Sequence, residues 1–193
     1  MRRKIVFATG NAHKLAEVQA VLGDGFQLVT AAEAGITGEI PENGETLEEN
    51  ASQKAHYLHD RLGIDCFADD TGLEVDALGG APGVHSARYA TEGHDFEANN
   101  RMLLKNMEGK TDRRARFRTV ISLIIDGREY RFEGRVEGRI AESESGSGGF
   151  GYDPLFIPDG SEVSFAEMSA EEKNNISHRG RAVRKLAEFL NKE

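Results

Sequence analysis

A chain of 193 residues with 38% hydrophobic and 30% charged residues can bury a core without disulfide or metal staples and is too apolar to stay disordered. A formal net charge of −9, 7% aromatic residues and no tryptophan disfavour a basic surface for nucleic acid or an anionic membrane, and also the stacking of successive bases. A small phosphorylated ligand held by a few local lysines stays open. Cys66 is the sole cysteine, which excludes an intramolecular disulfide and multi-cysteine metal sites and suits a reducing, cytoplasmic setting.

In chain order, residues 4–8 read as a buried strand. Their apolar run is too short for a signal peptide, and no stretch approaches the roughly 20 apolar residues of a membrane helix. A helix follows from about Ala12, with Leu15, Val18 and Leu22 on one stripe, and stops near Gly23-Asp24-Gly25. Residues 26–30 predict a second strand. Residues 36–45, with Gly38, Pro41 and Gly44, read as loop. Thr46 and Glu49 form a capping-box pattern. They open a helix whose apolar stripe is Leu47, Ala51, Ala55, Leu58 and Leu62, with Gly63 as its stop. Asn50 and Lys54, four apart, share the neighbouring face and can point at one site.

A short strand over 66–68 runs into Asp69-Asp70-Thr71-Gly72. The stretch Gly79-Gly80-Ala81-Pro82-Gly83 predicts loop, and Phe96, Asn100, Leu103, Leu104 and Met107 mark another helix. Residues 116–125 and 128–137 predict two strands joined by Asp126-Gly127, a strong hairpin signal. Glu129, Arg131, Glu133, Arg135 and Glu137 alternate along the second strand as a solvated face. The Gly/Ser-rich stretch 143–153 leads directly into Phe-Gly-Tyr-Asp-Pro-Leu-Phe-Ile, which favours an ordered loop near a ligand over a linker. Ser169 and Glu172 cap a short helix carrying Lys173, and Val183, Leu186 and Leu190 line a final one.

Three constellations can carry chemistry. Thr9-Gly10-Asn11-Ala12-His13-Lys14 lies between a strand and a helix, where backbone N–H groups and an early lysine suit an anion. It matches neither G-x-x-x-x-G-K-[ST] nor G-x-G-x-x-G, and a turn capped by Asn11 is the competing reading. Glu42 in its loop and Asp69-Asp70 at a strand end supply carboxylates suited to Mg²⁺, which takes oxygen ligands and substrate phosphates. One of them can also take a proton from water. Phe150-Gly151-Tyr152-Asp153, Lys173 and Ser177-His178-Arg179 form the third group, although a lone lysine on a helix is usually solvated.

Together these stretches resemble the Ham1/inosine-triphosphatase family. The resemblance runs through Ala8-Thr9-Gly10-Asn11-x-x-Lys14, Glu49-Asn50-Ala51-x-x-Lys54-Ala55, Ala68-Asp69-Asp70-Thr71-Gly72-Leu73, Leu78-Gly79-Gly80-Ala81-Pro82-Gly83 and Ser86-Ala87-Arg88-Tyr89. It continues in Gly149-Phe150-Gly151-Tyr152-Asp153-Pro154 and Glu172-Lys173-x-x-x-Ser177-His178-Arg179. Thr71 stands where many members have serine and keeps the hydroxyl.

The resemblance implies an α/β fold with a long mixed β-sheet flanked by helices, two lobes and a deep active-site cleft, as one inosine-triphosphatase-like domain over residues 1–193. It implies a homodimer that converts ITP, dITP or XTP to the monophosphate and pyrophosphate, binding neither nucleic acid nor membrane. Thr9, Gly10, Asn11, Ala12, His13 and Lys14 would hold phosphates, supported by Asn50, Lys54 and Thr71. Glu42 and Asp70 would hold Mg²⁺, with Asp70 also the proton acceptor and Asp69 a candidate for one of its tasks. Phe150, Gly151, Tyr152, Asp153, Lys173, His178 and Arg179 would hold the nucleoside. Arginine only donates, so Arg179 with His178 would accept a 6-keto purine and leave adenine unpaired. Guanine also has O6, so its rejection must come from the surroundings of C2. A nucleotide sensor without catalysis and a pyrophosphatase for modified pyrimidine triphosphates are the competing readings.

Overall fold

The computed structural model describes residues 3–192. Among them seven strands form a mixed sheet: β1 (Arg3–Phe7), β2 (Phe26–Thr30), β3 (Cys66–Val75), β4 (Pro82–Gly83), β5 (Arg114–Ile125), β6 (Arg128–Ile140) and β7 (Phe156–Pro158). The strand order is β2-β1-β3-β5-β6-β7, with β4 on β3. β1 pairs in parallel with β2 and β3, in the register Val6↔Val29 and Val6↔Cys66, whereas β4 and β7 are antiparallel additions. The helices are α1 (Ala12–Leu22), α2 (Leu47–Leu62), α3 (Phe96–Asn106), α4 (Ala170–Ile176) and α5 (His178–Leu190). None is long and apolar enough to cross a membrane.

The chain divides into two compact units. The first comprises the residues up to Asp70, Thr119–Gly134, and Arg179 onward; the second comprises Thr71–Arg118 and Arg135–His178.

In the first unit, alternation along β1 sends side chains to both faces of the sheet. Ile5, Phe7 and Phe67 join Val18 and Leu22 of α1 and Val183, Leu186 and Leu190 of α5 in one core. Val6, Ala8, Cys66 and Ala68 join Ala55 and Leu58 of α2 in another. A sheet covered on both faces calls for continuous apolar strands, which explains the run at 5–8. Each fully buried side chain of this size contributes about 1.5–3 kcal/mol.

The second unit has its own core, in which Leu73 and Val75 of β3 pack with Leu103 of α3, Met107, Phe117, Val136, Phe156 and Phe165.

Most predicted elements are present. Asp126 and Gly127 turn the β5–β6 hairpin with φ of 49° and 71°, and Gly63 ends α2 in the left-handed region at 62°. Four expectations change, the first being that Pro82–Gly83, expected in a loop, pairs with β3 as β4. β3 does not stop at Ala68 but runs on through Asp69-Asp70-Thr71-Gly72 to Val75. Asp and Gly are poor strand formers, but β3 lies between β1 and β5 in the sheet, and strand pairing overrides that preference. The face expected to be solvated is partly engaged: Glu129 accepts from Ser122, and Glu137 from Arg116. The capping box of α2 is half formed, because Thr46 accepts from the Glu49 N–H while the Glu49 carboxylate takes the Glu45 N–H.

Candidate active site

In the first unit, the turn before α1 is capped by Asn11, whose Oδ1 accepts from the backbone N–H of His13 (2.9 Å) and Lys14 (3.2 Å). The Asn11 cap is therefore present, and those two N–H groups are engaged within the turn. Gly10, Ala12 and His13 are exposed, and Thr9 accepts from the Asn11 N–H. Lys14 reaches inward, with Nζ 3.2 Å from Asp69 Oδ1.

The length of β3 decides how the two aspartates are used. As consecutive strand residues they face opposite sides of the sheet. Asp69 shares the side of Phe67, toward α1 and α5; Asp70 shares the side of Ala68, toward α2. Asp69 meets Lys14 on one oxygen and, on the other, Nε of Arg179 at 3.4 Å. Arg179 is 2% exposed, and its Nη1 also donates to Glu17 of α1. Lys14, Asp69, Arg179 and Glu17 thus close a ring of two cations and two anions, entered and left through α1.

On the other side, Asn50 Nδ2 donates to Asp70 Oδ2 (3.0 Å), and its Oδ1 accepts from the Gly44 N–H (2.7 Å). The Lys54 ammonium lies 2.7 Å from Glu42. Asn50 and Lys54, one turn apart on α2, therefore hold both ends of the Glu42 loop. Gly44 permits this approach: a Cβ there would lie 2.6 Å from Glu49 Cβ and 2.9 Å from Asn50 Oδ1.

The electrostatics follow from these neighbours. Burial opposes the charge on Asp69, but Lys14, Arg179 and Lys54 more than offset it, and the carboxyl is held at about 2. Burial pushes Asp70 above the usual carboxylate range, with Lys54 and Lys14 opposing and Glu42 adding to the rise. Burial also pulls Lys14 down. For Lys54 the charges of Asp70 and Glu42 outweigh burial and raise it.

The donors are hard carboxylate oxygens, and among the described residues no group of three or more His, Cys, Asp or Glu gathers that could hold a metal. Two carboxylates without a closed cage fit Mg²⁺, which keeps waters and takes substrate phosphate oxygens.

In the second unit, Lys173 is not solvated. It is 4% exposed, and its Nζ lies 2.6 Å from Asp153 Oδ2 and 4.9 Å from the centre of the Phe150 ring. The Asp153 carboxylate also accepts the Phe150 N–H at 3.0 Å, closing the loop on itself. Gly149 allows that closure, since a Cβ there would lie 2.1 Å from Asp153 Oδ2. Tyr152 is buried, and its hydroxyl donates to Ser86 O at 2.6 Å. His178 stacks on Phe117, with centroids 4.6 Å apart. Thr71 is half-buried in β3.

Two placements differ from the sequence reading. Arg179, grouped in sequence with Lys173 and His178, binds Asp69 and Glu17 of its own unit. Glu17 was missed altogether; the available signal was its place three residues after Lys14, on the same helix face.

A family model described as the Ham1 family matches residues 5–189. A protein of Porphyromonas gingivalis named dITP/XTP pyrophosphatase is 53% identical over 188 residues, covering 97% of each chain. One of the same name from Christiangramia forsetii is 49% identical over 98% of this chain and 100% of its own. Among solved structures, the Staphylococcus aureus Ham1 protein matches with a TM-score of 0.89 at 39% identity, covering 98% of both chains. A HAM1 protein from Coxiella burnetii matches at 0.91 and 36%, covering 99% of this chain and 100% of that one.

Proposed function

The chain belongs to the Ham1 family, and from that premise we infer that it is a nucleoside triphosphate pyrophosphatase acting on non-standard purine nucleotides such as dITP and XTP. It is a hydrolase of the α–β phosphoanhydride bond, releasing the nucleoside monophosphate and pyrophosphate. The observation that carries the residue assignment is the buried charge pattern of the first unit. There Lys14 and Lys54 are each held by a carboxylate, ready to exchange it for a phosphate oxygen.

The first unit is assigned the triphosphate. Thr9, Gly10, Asn11, Ala12, His13 and Lys14 line the phosphate end, with Lys54 and Asn50 beside it; Thr71, the first residue of the second unit, is assigned as a further hydroxyl for the substrate. Attack at the α-phosphorus needs an in-line water and positive charge for the leaving pyrophosphate, and the two lysines supply part of that charge. Glu42 and Asp70 would hold Mg²⁺, which when bound adds positive charge at the phosphate oxygens. Asp70 is assigned as proton acceptor in preference to Asp69. Asp69 is enclosed by two cations and is a poor base, whereas Asp70 accepts from a neutral amide and burial makes it more basic.

The second unit is assigned the nucleoside. Phe150 offers a ring face, and Gly151, Tyr152 and Asp153 shape the loop. Lys173 and His178 provide donors in a dry setting. Arg179, its guanidinium oriented by Asp69 and Glu17 in its own unit, is assigned as a donor to the 6-keto oxygen. A homodimer, one domain built from both units, and a cytoplasmic setting complete the proposal. The test is pyrophosphate release from dITP, XTP and dATP, with Mg²⁺ and with a chelator. Rapid release from the first two only, lost with the chelator, is expected. Release from dATP at the same rate would overturn the base assignment.

A further inference from the structure

The nucleoside loop is held from inside by Asp153, but its outer side rests on α3. Asn100 is 4% exposed, and its Nδ2 donates to the Gly151 carbonyl at 3.0 Å. Its Oδ1 is buried and has no hydrogen-bond partner among the described residues. The orientation of the amide is fixed, because the flipped form would set Oδ1 against the Gly151 oxygen, acceptor on acceptor. An unpaired buried acceptor is unfavourable, and the inward positions one and two turns further on are apolar: Leu103 and Met107 are fully buried. What an asparagine supplies here and a leucine would not is the donor to Gly151.

That carbonyl belongs to a residue with φ of +62°, at the turn between Phe150 and Tyr152. Two further contacts tie the same helix to the loop. The Phe96 ring lies 6.0 Å from that of Phe150. Asn99 binds Ala87 O and the Ala90 N–H, fixing the segment whose Ser86 carbonyl receives the Tyr152 hydroxyl. We propose that Asn100 is a positioning residue for base recognition, its amide holding the Gly151 peptide so that Phe150 and Tyr152 are presented in one fixed arrangement. The proposal rests on the assignment of this loop to the nucleoside and extends it to a helix without a role until now.

The experiment compares the full-length protein with Asn100→Leu and Asn100→Asp, measuring KM and kcat for dITP, inhibition by inorganic tripolyphosphate, and Tm. Asn100→Leu removes the unpaired acceptor together with the donor. The expected result is an unchanged or higher Tm, a KM for dITP raised about threefold to tenfold, kcat within twofold, and unaltered tripolyphosphate inhibition. Asn100→Asp keeps the acceptor, loses the donor and sets a carboxylate against the carbonyl, so its KM rises further. An unchanged KM in Asn100→Leu would overturn the proposal, as would parallel loss of dITP and tripolyphosphate binding. If leucine overpacks and the variant does not fold, Asn100→Ala, which also lacks both donor and acceptor, carries the same comparison. Failure of the functional assignment would look different, since the wild-type protein would then not split dITP at all.

Discussion

The two assigned ends of the site are built on different principles. In the first unit, charges come as a ring, a pair and a carboxylate held by an amide: Lys14 and Arg179 with Asp69 and Glu17, Lys54 with Glu42, and Asp70 with Asn50. In the second, one ion pair, Lys173 with Asp153, sits among Phe150, Phe165 and a closed loop. A triphosphate carries several charges and must displace counter-ions as it binds, so its end needs cations already neutralised and already placed. A neutral base needs a dry, shaped surface and a few oriented donors.

The contrast breaks hardest at Asp70. Asp70→Asn should lower kcat by about 100-fold or more, the low end for a lost general base, while Tm changes little. Asp69→Asn makes the sharper control. It should loosen Lys14 and raise KM rather than abolish turnover, and the opposite pattern would exchange the roles of the two aspartates.

Next in size is Lys14→Ala. A charge-assisted hydrogen bond is worth about 1.5–3 kcal/mol, so triphosphate affinity should fall about 10–100-fold while inosine binding holds. Equal weakening of both ligands, read by calorimetry, would remove Lys14 from the phosphate end.

Arg179 tests where the boundary between the two ends lies. Arg179→Ala should lower the ITP-over-ATP ratio of kcat/KM by about tenfold, within the range of one good base-reading pair. Lys14→Ala should leave that ratio alone. If instead Arg179→Ala depresses both substrates alike, its ring with Asp69 and Glu17 is its whole role and it belongs to the phosphate end. Glu17→Gln should shift the same ratio by about threefold, because the guanidinium keeps Asp69 but loses its second anchor. No shift would show that Asp69 alone orients it.

The smallest effect is expected at Cys66 of β3, fully buried against α2. Burial, with Asp65 and Asp60 nearby, pushes its thiol up to about 12. A maleimide at pH 8 should leave it unlabelled until denaturant is added, and activity should be unaffected. Rapid native labelling would mean that this sheet face opens.

What the sequence revealed, and what it concealed, follows the range of the interactions. The Asn11 and Ser169 caps, the Gly63 stop, the Asp126-Gly127 turn and the stripes of α2 and α5 are local, and their residues announce them. The same holds for Asn50 and Lys54, whose helical spacing places them together. The course of β3 was hidden because Asp69-Asp70-Thr71-Gly72 has the composition of a turn and becomes strand only through its neighbours in the sheet. That error mattered for the site, since two aspartates at a turn can share one task while two in a strand point apart. Lys173 read as solvated because its partner, Asp153, lies 20 residues away in a loop. Glu17 was missed because its partner Arg179 lies 162 positions on.

The threading of the chain has a consequence for its synthesis. The first unit draws on residues up to Asp70, a middle segment and everything from Arg179 onward, and Ile5 shares a core with Leu190. A nascent chain still lacking α5 leaves Ile5, Phe7, Val18 and Leu22 without their cover, and Asp69 and Glu17 without their guanidinium. Contacts so distant in sequence are slow to form, and the ring around Asp69 cannot close before α5 has been made. Products lacking α5 expose apolar surface of the kind that chaperones and proteases recognise, which ties the ring around Asp69 to the presence of that helix.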